Sequence, residues 1–193
     1  MALVSYALVS LEDVKEALGI TDNTKDSILT NYINRATDAI EKYCSRRFAF
    51  DTYTNQEYDG TGTNRINLKN YPIISLTSLE ERTSGFSNTS WETIDADFYK
   101  DLDNEGQVYF TGGFTRGVRN YRVTYSAGYT TIPNDLQQAC ITLVSFFDNQ
   151  TRSSGMKSET LGEYSYTKED DINATIKNLG LDEILNFYRN PVV

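Results

Sequence analysis

The stretch "YSAGYTTIPNDLQQA", Tyr125 to Ala139, decides how the chain folds. A run rich in β-branched and aromatic residues, "NYRVTYS", ends in Ala127-Gly128-Tyr129, crosses Ile132-Pro133 and opens into a helical pattern. Glycine adopts backbone conformations that side chains resist, so Gly128 lets the strand stop. Proline has its φ preset for a helix and lacks an amide that the first turn leaves unbonded anyway, so Pro133 launches the helix. The stretch offers no nucleophile with its base. It is a joint in the fold.

Beyond the joint, Leu136, Ala139, Cys140, Leu143, Val144 and Phe147 recur at helical spacing and form one apolar face. That face needs a partner, and the N-terminal part of the chain supplies it. A first helix is predicted from Ser10, with Asp13 giving an acidic capping box, carrying Leu11, Val14, Ala17 and Leu18 and stopping at Gly19. A second, beginning near Asp22, carries Leu29, Tyr32, Ile33, Ala36, Ile40 and Tyr43, with Arg46 and Arg47 at the negative end of its dipole. Leu29, Ile33, Ile40, Leu143 and Phe147 should therefore be buried together.

From Phe48 to Tyr129 the pattern changes to short runs: "TYTNQEY", "RINL", "IISLTSLEER", "WETI", "QVYF" and "NYRVTYS". Turn-forming "DGTGTN", "TSGFSN", "DNEG" and "TGG" separate them, and Pro72 sits at the entrance of the third. The fold class read from this order is α+β, a helix pair plus C-terminal helices packed around a small antiparallel sheet. Residues 1–150 are expected to be one domain. Residues 151–193 read as a Ser-rich arm and a helical segment beginning near Asp171, with Ile172, Ile176, Leu179, Leu181, Ile184, Leu185 and Tyr188 on its apolar side and a break at Gly180.

Charge narrows the function. The 193 residues hold 27 acids against 18 lysines and arginines and no histidine, a net charge of −9. A grip on nucleic acid through many phosphate contacts does not fit that balance. Fourteen tyrosines suggest contact surface, since tyrosine joins apolar area to a polar tip. Cys44 and Cys140 fall on apolar helical faces and read as small buried thiols, not as a disulfide or metal ligands. "MALVSYALVSLEDVKEAL" has no basic leader, with Glu12 and Asp13 too early for a signal-peptide core, and no run reaches the roughly 18 apolar residues of a membrane span. A cytoplasmic protein is expected, or one that leaves as part of a particle.

Three stretches imitate chemistry. "DLDNEG", Asp101 to Gly106, matches the first half of a calcium loop, but Gly112 stands where a bidentate Glu is required, so a turn is the better reading. "GTGTN", Gly60 to Asn64, is followed by a strand, whereas a phosphate cradle opens a helix. Arg116, Arg119 and Arg122 would not share one face of a strand, which points to a solvated edge or a subunit contact and away from DNA reading. With no histidine to activate a nucleophile, no catalytic residue, cofactor or metal site is expected.

The whole order of elements, and above all Gly60 to Pro72 and Tyr125 to Ala139, resembles the head-tail connector proteins of long-tailed bacteriophages, also called adaptors or head completion proteins. The resemblance spans nearly the whole chain. It departs from the pattern in the long "EERTSGFSNTSWE" and "FTGGFTRGVRN" excursions. What it implies is a structural virion protein of the neck, present in the host cytoplasm during assembly. Its partners would be the portal protein, a tail-side stopper protein and further copies of itself in a cyclic ring, expected to be twelvefold, through which DNA passes without sequence-specific binding.

By the same resemblance the C-terminal segment, with Leu181, Ile184, Leu185 and Tyr188 on its apolar side, would dock on the portal. The competing reading is a non-catalytic carbohydrate-binding module, in which Trp91 would stack on a sugar.

Overall fold

The computed structural model describes residues 2–83, 90–102, 106–154 and 171–189. The fold is α+β, and the chain divides into two compact units, one of Met1–Arg46 with Ile132–Pro191 and one built on Arg47–Thr131. The expected boundary at residue 150 is therefore not where the chain divides. Both ends of the sequence make the helical unit, and its middle makes the β unit.

In the helical unit, α1 spans Leu11–Leu18 and α2 Asp26–Cys44. The capping box forms as its residues dictate: Asp13 N–H donates to Ser10 Oγ at 3.1 Å and Ser10 N–H to Asp13 Oδ2 at 3.2 Å. Gly19 closes α1 at φ 66. Helix α2 starts later than expected because the Asp22 carboxylate accepts from the Thr24 amide at 2.8 Å and from the Thr24 hydroxyl, which holds residues 22–24 in a turn of their own.

Helix α3 spans Asn134–Ser154, and two short helices follow, α4 over Ile172–Asn178 and α5 over Asp182–Tyr188. Helices α2 and α3 pack together, and α1 and α5 each touch both. Leu29, Ile33, Ile40 and Leu143 are fully buried and Phe147 nearly so, as their spacing requires. Tyr32 and Phe147 rings lie 6.0 Å apart, and the Arg35 guanidinium sits 4.2 Å over Phe147. The buried Asp148 is paired with Lys25 at 3.0 Å.

The β unit holds two antiparallel sheets where one was expected. Strands β1 (Asp51–Gly60), β7 (Gly117–Ala127), β3 (Ile73–Arg82) and β4 (Trp91–Thr93) form the first in that order. Strands β2 (Arg65–Asn67), β6 (Gln107–Phe110) and β5 (Tyr99–Leu102) form the second. Alternation along β7 buries Tyr121, Val123, Tyr125 and Ala127, which join Leu79, Ile66, Leu68, Val108 and Phe114 in one core. Tyr125 stacks on Tyr53 at 5.2 Å and shares a 2.9 Å hydroxyl contact with Tyr58, while Tyr121 meets Phe114 edge-on at 4.9 Å. Part of the tyrosine surplus is thus core, which corrects its reading as contact surface.

The joint works through backbone contact. Gly128 has φ 106, and a Cβ there would stand 2.5 Å from the Ala49 carbonyl oxygen. Its N–H donates to Pro72 O at 3.0 Å, and Tyr129 N–H to Phe48 O at 2.7 Å. Pro133 sits just ahead of α3, where its carbonyl accepts Gln137 N–H at 3.0 Å.

Candidate subunit interface

The outer face of the first sheet carries an ion ladder because the register sets Glu57 and Glu80 on either side of Arg122. The Arg122 guanidinium grips Glu80 with two hydrogen bonds, Nη2 at 2.9 Å from Oε1 and Nε on Oε2. That grip holds the Glu80 carboxyl below its ordinary value, the hydrogen bond from Arg122 outweighing the opposing effect of burial. Arg82 lies opposite Trp91 on β4, its guanidinium 4.4 Å from the indole, and the Arg122 guanidinium lies 4.7 Å from the same ring. Trp91, half-buried, is thus engaged by two guanidiniums of its own sheet.

Arg122 is likewise committed internally, which separates it from the other two arginines. Arg116 and Arg119 are exposed at the start of β7, with Val118 between them 62% exposed. The structure thus places the three as one structural tie and two outward charges. Sequence spacing alone treated them alike, since nothing in "TRGVRNYR" says which arginine meets Glu80 across the sheet.

At the C-terminus, Leu185 is fully buried and Leu181 nearly so, with Ile184 half-buried. Tyr188 donates its hydroxyl to Asp135 at 2.8 and 2.7 Å from the two carboxylate oxygens. The four residues expected to form a free apolar face are mainly used inside the helical unit, because α5 folds back on α2 and α3. The residue left outside is Phe187, 88% exposed, which the spacing argument passed over because it lies off the apolar stripe. The Ser-rich arm lies outside the described residues.

Of the stretches that imitate chemistry, the described residues lie in strands and turns. Gly62, at φ 77, turns the chain toward β2, and no helix follows. Asp101 lies in β5 opposite Val108, and Gly106 takes φ 67 before β6; Asp103 and Glu105 lie outside the described residues. Burial pushes the thiols of Cys44 and Cys140 up to about 12.

The chain belongs to the head completion protein family, whose description matches residues 7–191, and its role is that of a head-tail connector. No curated protein sequence matches it. Its fold is similar to a chain in the neck of an empty gene transfer agent particle computed with C6 symmetry, at TM-score 0.58 and 13% identity, covering 100% of this chain and 95% of the other. A chain in the neck of the native particle, computed with C12 symmetry, gives TM-score 0.56 and 13% identity over 100% and 94%. At such identity the likeness is one of fold.

Proposed function

We propose that the chain is one subunit of a closed ring in the virion neck, below the portal, where it joins capsid to tail and lines the passage for DNA. The observation that carries this reading is the family match over nearly the whole chain. The likeness of fold to neck chains supports the ring: a twelvefold ring also contains sixfold symmetry, so twelve copies agree with both printed symmetries. A net charge of −9 suits a channel through which DNA must slide without sticking.

The partners on this reading are the portal on one side, a tail-side stopper on the other and neighbouring copies around the ring. With Leu181 and Leu185 buried, docking of the C-terminal segment on the portal would rest on Phe187, Ile184 and the arm before them. Binding of the full chain to purified portal tests this. Phe187→Asp should leave a folded protein that binds portal more weakly; unchanged affinity would remove the segment from the interface.

A further inference from the structure

The turn entering β7 is unusually constrained for a surface feature. Asn120 reaches across it, accepting Gly60 N–H at 2.8 Å and donating to Thr115 O at 2.8 Å. Arg119 N–H donates to Asp59 at 2.7 Å while its carbonyl accepts from Arg82 Nε at 3.2 Å. The Thr115 amide donates to the buried Tyr121 hydroxyl at 2.8 Å. A Cβ on Gly60 would stand 1.8 Å from Thr115 O, so the two backbones approach as only glycine allows. These bonds hold Arg119 at φ 47, a conformation that non-glycine residues adopt at a cost.

What this scaffold presents is Arg116, Val118 and Arg119. Both arginines are exposed, and no side-chain hydrogen bond or ion pair holds either guanidinium among the described residues, whereas the other arginines whose side chains are described are each engaged. A second surface of the same unit has the opposite character. Strand β4 ends its sheet, and Glu92 on it, then Asp95, whose carboxylate caps the turn Ala96–Phe98 by accepting Asp97 N–H at 3.0 Å, and Asp97 are exposed beside Phe98, itself 54% exposed.

Resting on the ring reading above, we infer that residues 116–119 of one copy are the knob of a head-to-tail contact, and that the acidic edge with Glu92, Asp95, Asp97 and Phe98 on a second copy receives it. Charge and apolar character match on both sides, Arg-Val-Arg against acids around Phe98. A pair of unlike patches on one molecule is what a heterologous, ring-closing interface requires. DNA is the lesser fit for the knob, since a phosphate backbone does not reward an exposed valine.

A charge swap in particles assembled with the full chain tests this. Arg116→Glu with Arg119→Glu should lose incorporation into particles, Asp95→Lys with Asp97→Lys should lose it too, and the four changes together should restore it. Either pair folded and incorporated as well as the unaltered chain, or a four-fold combination that fails to restore incorporation, overturns the inference. A photo-crosslinking residue at position 118, with all arginines kept, gives an independent readout. It should trap chain–chain dimers through the 92–98 edge, and cross-linking to DNA, to another protein or to nothing contradicts the contact. If the unaltered chain is itself absent from particles, the ring reading fails instead.

Discussion

Gly128 lies against the backbone of Ala49, close enough that a Cβ would meet the Ala49 oxygen at 2.5 Å, its carbon at 2.7 Å and the Phe48 oxygen at 2.8 Å. The parallel bridge between Ala49 and Tyr129 runs beside this contact. The residues that leave the β unit at each end are thereby tied side by side. Gly128→Ala must both adopt φ 106 and displace backbone, so it should cost about 3 kcal/mol or more, read as a fall in the chemical denaturation midpoint. Gly19→Ala, at φ 66 with nothing within 4 Å of its Cβ, should cost only about 1 kcal/mol.

Glu80 should make stability depend on acid pH. Its folded pKa is depressed by Arg122, so its contribution is complete above its ordinary value of 4.5 and is lost as pH falls through the lowered value. Glu80→Gln should lower stability near neutrality by about 1 kcal/mol, the pair being only partly shielded from water, and should flatten the acid limb of the stability profile. An unchanged acid limb would show that the Arg122 contact contributes nothing.

The C-terminal helices should behave as core. Leu185→Ala removes a fully buried side chain and should cost roughly 2–5 kcal/mol, whereas Phe187→Ala should change stability by less than about 0.5 kcal/mol. Deleting residues 172–193 should destabilise the helical unit, since Ile176 and Leu185 are fully buried and Leu181 nearly so. This reverses what an independent docking arm would do.

Native Cys44 and Cys140 should resist alkylation and disulfide exchange. Thiolate is the reactive form, and both thiols are pushed up to about 12 by burial. Reaction with a chromogenic disulfide at pH 8 should be slow in the folded protein and fast for two thiols in denaturant. Rapid native labelling would contradict the packing around α2 and α3.

Much of the fold was legible in local pattern. "IISLTSLEER" and "QVYF" are β3 and β6 to the residue, and Ser10, Gly19 and the α2–α3 face were fixed by capping and spacing. Strand β5, "YKDL", escaped because four residues carry no alternation to separate them from a turn. The division into two units was not legible either, since an apolar stripe shows that a face is buried and not what buries it. The same limit hid the fold-back of α5: Leu181 and Leu185 read equally as a core face or a docking face. Arg116 and Arg119 stood out in the sequence, but their separation from Arg122 needed the register that brings Glu80 beside it.

The most direct test of the connector account is a reconstruction of the neck from particles that carry the chain. The account predicts a closed ring of this fold, twelve copies around, between the portal and the tail-side protein. Placement of the chain in the capsid shell or the tail tube, or a complete neck in which this fold is missing, would contradict it.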